Sequence, residues 1–179
     1  MTESAAKLFD PGCRRCPRLA TFLDDTRKKF PDYFSAPVPA FGDAKPRLLI
    51  IGLAPGMHGA NRTGRPFTGD FAGVLLYQTL HAVGFADIAE SISADDGLTL
   101  RGARITNAVK CLPPANKPLP VEIRECSRFL AAEIASLSSV RVILALGRIA
   151  HDSTLDALGI KRSAATFGHG HEHALDGGR

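Results

Sequence analysis

Three short apolar runs punctuate the chain: RLLIIGLA (47–54), ARITNAV (103–109) and VRVILALG (140–147). Each is continuous rather than alternating and rich in Val, Ile and Leu, the pattern of strands covered on both faces in a parallel sheet. The segments between them have a different period. Residues 72–85 are apolar at Val74, Leu75, Tyr77, Leu80 and Val83, and residues 121–137 at Ile123, Phe129, Leu130, Ile134 and Leu137. Both spacings put one buried stripe on a helix. A third helix is predicted over 147–159, ended by Gly159. Strand and helix thus alternate, which predicts an α/β fold: a three-layer α/β/α sandwich with a mainly parallel central sheet of about four strands. The Pro-rich passage at 30–46 reads as a surface connector before the first strand, and 1–179 as a single domain.

In such a sheet, ligands bind beyond the carboxyl ends of the strands. There the chain places GLAPGMHGANRTGRPFTGD (52–70), with five Gly, two Pro, two Arg and one carboxylate. Gly52, Gly56 and Gly59 let backbone amides approach a ligand, and Pro55 and Pro66 stiffen the loop. The stretch lacks the Lys-Ser/Thr ending of a triphosphate-binding loop and the glycine spacing of a dinucleotide site. With 22 basic and 18 acidic residues, the net charge of +4 fits either a polyanionic partner such as nucleic acid or a solvated surface. No apolar run reaches the roughly 20 residues that span a bilayer, and the N-terminus lacks a basic-then-apolar signal. The expectation is a cytoplasmic protein with no membrane partner.

Four cysteines follow the pattern C-x2-C, a long gap, then C-x14-C: Cys13, Cys16, Cys111 and Cys126. In a reducing compartment they read as metal ligands, or as a redox pair at CRRC with two core cysteines. Spacing alone leaves zinc and a [4Fe–4S] cluster equally open.

The long Gly-rich stretch, ITNAVKCLPP (105–114), the N-terminal C-x2-C and ALGRIAHD (145–152) together resemble the uracil-DNA glycosylase superfamily, in its iron–sulfur branch and most like family 5 (type B). Family 4 has an acidic residue where Leu53 stands, and the basic insertion of the DNA-trapping relatives is missing after GRPFTG. The resemblance implies a monofunctional DNA N-glycosylase. It would flip uracil, and other deaminated bases such as hypoxanthine, out of double-stranded DNA and hydrolyse the glycosidic bond. It further implies a [4Fe–4S] cluster held by the four cysteines, and a monomer associated with the nucleoid.

Residue by residue, the resemblance makes Asp70 the catalytic acid that orients water and opposes positive charge on the sugar. The same residue also reads as an N-cap for the following helix. Asn107 would read the uracil edge, since an amide both donates and accepts; an Asn closing a loop is the plainer reading. His58 would bond near the scissile link. Phe67 would stack on the base or simply pack, while Gly52, Leu53, Ala54 and Gly56 would form the pocket wall. Arg62 and Arg65 read as phosphate contacts or solvated loop arginines, and Lys110, with Arg14 and Arg15, would face the DNA backbone.

The family's final His-Pro-Ser type motif is missing, so the chain is expected to lack its C-terminal segment. FGHGHEHAL resembles the stretch just ahead of that motif, and His169, His171 and His173 read as a surface run rather than a metal site. The alternative function is a non-catalytic iron–sulfur or zinc protein that binds nucleic acid.

Overall fold

A computed structural model describes residues 9–175. Arg179, counted above among the basic residues, lies outside them. Helix α1 (Pro17–Lys29) leads to strands β1 (Phe41–Gly42) and β2 (Leu48–Gly52), then helices α2 (Ala60–Thr63) and α3 (Phe71–Ala82). Strand β3 (Ala103–Asn107), helix α4 (Pro120–Ser136), strand β4 (Val142–Ala145) and helix α5 (Arg148–Ala157) complete the order.

The four strands lie in the order β1-β3-β2-β4. Strand β2 pairs in parallel with β3, setting Ile50 opposite Ile105 and Gly52 opposite Asn107. It also pairs in parallel with β4, while the two-residue β1 runs antiparallel to β3. Alternate residues of β2 supply two separate cores. Leu49 and Ile51 pack against Leu130 and Ile134 of α4 and Ala150 of α5. Ile50, with Ile105, packs against Tyr77 and Leu80 of α3 and against Leu98 and Leu100. Each such buried aliphatic side chain stabilises the fold by about 1.5–3 kcal/mol, which is why β2 reads as an unbroken apolar run. The predicted sandwich and its mainly parallel sheet are what is observed.

Strand β4 departs from the expectation of burial on both faces. Val142 and Leu144 are 57% and 43% exposed, although Ile143 and Ala145 pack inward. Helix α3 covers β2 and β3 on that side, and its layer stops short of the edge strand. The segment from Phe167 to Leu175 runs alongside and leaves an open cleft.

Helix α1 and strand β1 are absent from the sequence reading. Pro17 starts α1 where a missing N–H does no harm, and Leu19, Ala20, Leu23 and Thr26 form its buried face. At its start Arg18 makes two 2.8 Å contacts to the carboxylate of Glu122 in the first turn of α4. No helix among the described residues is long and apolar enough to cross a membrane.

Candidate active site

The parallel pairing of β2 and β3 brings Gly52 and Asn107 side by side at the carboxyl end of the sheet. The pairing continues past the strands, with the amides of Ala108 and Val109 donating to Gly52 and Leu53 at 2.9 and 3.0 Å. A Cβ on Gly52 would lie 2.5 Å from Asn107 Oδ1 and 2.6 Å from Cε2 and Cζ of Phe67. The bare α-carbon, the amide and the ring therefore share one corner. Asn107 is 3% exposed and its Oδ1 has no hydrogen-bond partner. A buried acceptor left unpaired is costly, by about 1–3 kcal/mol, and marks a place where a donor is to be supplied.

Phe67 reaches this corner from a strained backbone, with φ at 53°. Left-handed backbone is unfavourable for a bulky residue and persists only where its surroundings enforce it. Here both neighbours are anchored. Tyr77 Oη donates to the Pro66 carbonyl at 2.9 Å, and Thr63 Oγ1 donates to the Thr68 carbonyl at 3.2 Å. The Phe67 carbonyl lies so close to Gly73 that a Cβ there would sit 1.8 Å from it.

Arg65 takes part in this anchoring, which corrects its expected role at phosphate. Its side chain is 3% exposed and bonds Asp96 through both Nη atoms at 2.7 and 3.1 Å. It also donates to Ser91 Oγ at 2.9 Å and lies 4.5 Å over the Phe41 ring. Burial disfavours charge on Asp96. Arg65 and the amides of Leu98, Ile92 and Ser93 outweigh it and hold the carboxyl far below the usual carboxylate range.

Asp70 caps a helix and also reaches the Gly-rich loop. Its Oδ1 accepts from Gly73 N at 2.9 Å and caps α3. Its Oδ2 lies over the Gly loop, 3.5 Å from a Cβ built on Gly56 and 2.2 Å from one built on Gly59. Arg62 is exposed, donates to the His58 carbonyl at 2.7 Å and reaches the Gly69 carbonyl at 3.4 Å, next to Asp70. His58 is exposed, and its ring partners lie at the end of α1: Tyr33 Oη is 2.8 Å from Nδ1, and the Phe30 ring stands edge-on at 5.7 Å. Leu53, Ala54 and Gly56 line the first turn of the loop, half-buried.

The four cysteines gather behind this loop. Cys13 and the N-cap residue Cys16 come from the start of α1, Cys111 follows β3, and Cys126 is on α4. They line one apolar cavity with Leu19, Val109 and Phe129, and Ala54 packs against the same cluster. Burial and the neighbouring thiols push Cys16 up to about 11 and Cys111 up to about 12, and burial raises Cys126. Four thiols around one cavity are the donor type that zinc and iron–sulfur groups take, although among the described residues no three His, Cys, Asp or Glu side chains stand close enough together to form a metal-holding group as they lie.

Lys110 serves this centre and not DNA, a second correction. It is 2% exposed, and its Nζ donates to Thr106 Oγ1 and, at 3.3 Å, to Glu133 Oε2. Arg104 bonds the other Glu133 oxygen at 2.7 Å. The Lys110 amide donates to Cys126 Sγ at 3.2 Å. Arg14 pairs with Asp24, while Arg15 is exposed and 3.6 Å from Glu125.

The sequence reading passed over Asn61. It is fully buried beside Ser35, with both amide atoms unpaired. A short amide inside a Gly-rich loop is the only signal that could have flagged it. Glu133, Asp96 and Tyr33 were likewise overlooked, because their partners lie far away in sequence.

A sandwich with an amide, an aromatic ring and a Gly-rich loop brought together at its strand ends defines a class, and residues 39–175 match the uracil DNA glycosylase superfamily: the chain belongs to it. Within that superfamily it is 48% identical over 172 residues to the type-5 uracil-DNA glycosylase of Thermus thermophilus, covering 93% of this chain and 78% of that protein. It is 45% identical over 166 residues to the type-5 enzyme of Mycobacterium bovis, covering 88% of this chain and 62% of that protein. Similarity to the type-4 enzyme of Archaeoglobus fulgidus is lower, 32% over 139 residues, 77% of this chain and 56% of the other.

Proposed function

We propose that this chain excises uracil from DNA as a monofunctional N-glycosylase, and that the corner formed by Gly52, Asn107 and Phe67 is its base pocket. The unpaired Asn107 Oδ1 carries this reading. Uracil presents an N–H donor at N3 and an acceptor at O4. Asn107 accepts from the first through Oδ1 and donates to the second through Nδ2. Cytosine presents the reverse pattern, so it would leave buried groups facing like groups. Hypoxanthine presents the uracil pattern at N1 and O6, and the same amide admits it. The Phe67 ring stacks on the flipped base, and Gly52, which has no room for a side chain, lets that ring and the Asn107 amide stand close together beside the base.

Bond cleavage sends the electron pair of the C1′–N1 bond onto the base and leaves cationic character on the sugar. Asp70 Oδ2 faces the sugar, opposes that charge and aligns a water whose oxygen adds to C1′; the released proton passes to the carboxylate or to solvent. The capping bond through Oδ1 fixes the carboxylate in place. Asn107 Nδ2 and the loop amides stabilise the departing base anion. Arg62, exposed beside Asp70, meets a DNA phosphate. His58 assists from the mouth of the site.

Cys13, Cys16, Cys111 and Cys126 would hold a [4Fe–4S] cluster. When bound, it supplies metal–thiolate bonds that staple the start of α1 to α4 and to the segment after β3. Ala54 and the Lys110 network join that staple to the pocket. The enzyme works as a monomer on nucleoid DNA in the cytoplasm.

The test is single-turnover base release from a duplex with one U opposite G, comparing the native chain with Asp70→Asn. Asn caps a helix nearly as well as Asp, so folding is preserved while release falls by about 10²–10⁴-fold. Undiminished release by Asp70→Asn would refute the assigned mechanism. DNA binding without release by the native chain would favour a binding protein.

A further inference from the structure

On the face of β3 opposite the pocket corner lies a buried charge cluster that the proposed reaction does not use. Thr106, Lys110 and Glu133 are all buried. Lys110 Nζ donates to Thr106 Oγ1 and, at 3.3 Å, to Glu133 Oε2, and Thr106 Oγ1 donates to that same oxygen at 2.8 Å. Arg104 Nε donates to the other Glu133 oxygen at 2.7 Å. Replacing a buried ion pair by well-packed apolar side chains is often neutral or stabilising, so such a pair is weak evidence for stability by itself. What it does supply is a fixed geometry.

Asn107 needs that geometry. Its Oδ1 has no partner, so the amide is aimed by its backbone and by the close approach of Gly52 and Phe67. Successive strand side chains point to opposite faces. Asn107 therefore stands on the Phe67 side of the sheet, while Thr106 stands on the α4 side, where Glu133 holds it. Lys110, four residues after Thr106, turns its ammonium back onto the Thr106 hydroxyl and so closes the turn that carries Asn107. The far end of that turn is pinned as well: the Lys110 carbonyl accepts from Val38 N at 2.7 Å, and its amide donates to Cys126 Sγ at 3.2 Å. Glu133 and Cys126 both belong to α4, so one helix holds the turn at two points.

We propose that Lys110 and Glu133 are positioning residues for base recognition: through Thr106 they fix the turn that aims the Asn107 amide. This inference rests on the reading of Asn107 as the group that contacts the base. The pair itself touches neither base nor sugar and transfers no proton.

Acting through Asn107 gives the test. The double variant Lys110→Met with Glu133→Gln removes both charges together and leaves only the partly exposed Arg104 charged. Thr106→Val is the second variant, cutting the tie to the turn while keeping the Lys110–Glu133 pair. Single-turnover uracil release from a U·G duplex at saturating enzyme is measured for each, in the native chain and in Asn107→Ala, beside thermal melting and bound metal. Both variants are expected to lose about tenfold or more in the native background, where the amide is misplaced. In Asn107→Ala, where nothing is left to aim, the same changes cost no more than about twofold. Hydrogen exchange at the Ala108 and Val109 amides, which donate to Gly52 and Leu53, becomes faster in both variants while the amides of α3 keep their native rates. Equal losses in the two backgrounds, no loss in the native one, or native exchange at Ala108 and Val109 would overturn the positioning role. A native chain that releases no uracil would instead overturn the glycosylase reading, and native release by Asn107→Ala would overturn the role of that amide; the exchange rates then still decide whether the pair holds the turn.

Discussion

Replacing Gly52 with Ala adds one methyl group at the most constrained point of the pocket. Gly52 ends β2, and its carbonyl is held by the Ala108 amide, so its backbone has little freedom to retreat. The new carbon would stand 2.5 Å from Asn107 Oδ1 and 2.6 Å from the edge of Phe67. Non-bonded carbons rest at about 3.5–4.0 Å, so one or both groups must move by about 1 Å. Phe67 is locked at positive φ between anchored neighbours, so the shift falls largely on Asn107, the base-reading amide. A misplacement of about 1 Å in a catalytic arrangement costs about 10²-fold in rate, equivalent to about 2.7 kcal/mol at the transition state. Single-turnover release at saturating enzyme, beside thermal melting of the same variant, separates this from unfolding. Release within twofold of native, in a variant with unchanged melting, would refute the claim that the base occupies this corner.

Arg65→Met should cost about 3–5 kcal/mol of stability by stranding Asp96, read by urea unfolding, while leaving the salt dependence of DNA binding unchanged. Arg62→Ala should do the reverse, flattening the slope of log affinity against log salt by about one unit with stability intact. Glu133 and Glu122 are also held below the usual carboxylate range: burial opposes their ionisation, but Lys110 and Arg104 outweigh it at Glu133, and Arg18 and the Leu119 amide at Glu122. Their folded-state values lie below their unfolded ones, so their contribution is complete above the ordinary carboxylate range of about 4 and is lost as pH falls through the folded values. Urea unfolding should thus be nearly constant from neutral pH down to about 5 and weaken below about 4, with Glu133→Gln less stable at neutral pH and showing a shallower fall. Cys111→Ser should lose visible absorbance and bound iron together; iron retained in full would remove Cys111 from the ligand set.

The layers of this protein were legible because β2, β3 and α4 bury residues in simple periods. Helix α1 was not, since only Leu19, Ala20, Leu23 and Thr26 are buried in a segment crowded with charge. The two residues of β1 carry no period at all. Among the site residues, local pattern placed Asp70, Asn107, Phe67 and Gly52 in one neighbourhood. It could not separate Arg62 from Arg65, three residues apart in one loop. What separates them is Asp96, 31 residues beyond Arg65, which turns one arginine inward. Lys110 was misread for the same reason, because Glu133 lies 23 residues away. Sequence shows that a cation is present; the fold decides whether it meets solvent or a buried carboxylate. The exposed face of β4 is likewise a matter of where the α3 layer ends.

The placement of the cysteines also sets a timetable. Arg18 and Glu122, which join the helix bearing Cys16 at its cap to the helix bearing Cys126, are 104 residues apart. At about 5–20 residues per second, a ribosome needs on the order of 5–20 s to make the intervening chain. Through that interval the N-terminal thiols have been made but their partners have not. A metal group held by all four thiols would therefore wait until Cys126 has been made, and oxidation of Cys13 or Cys16 before then would take away one of its donors.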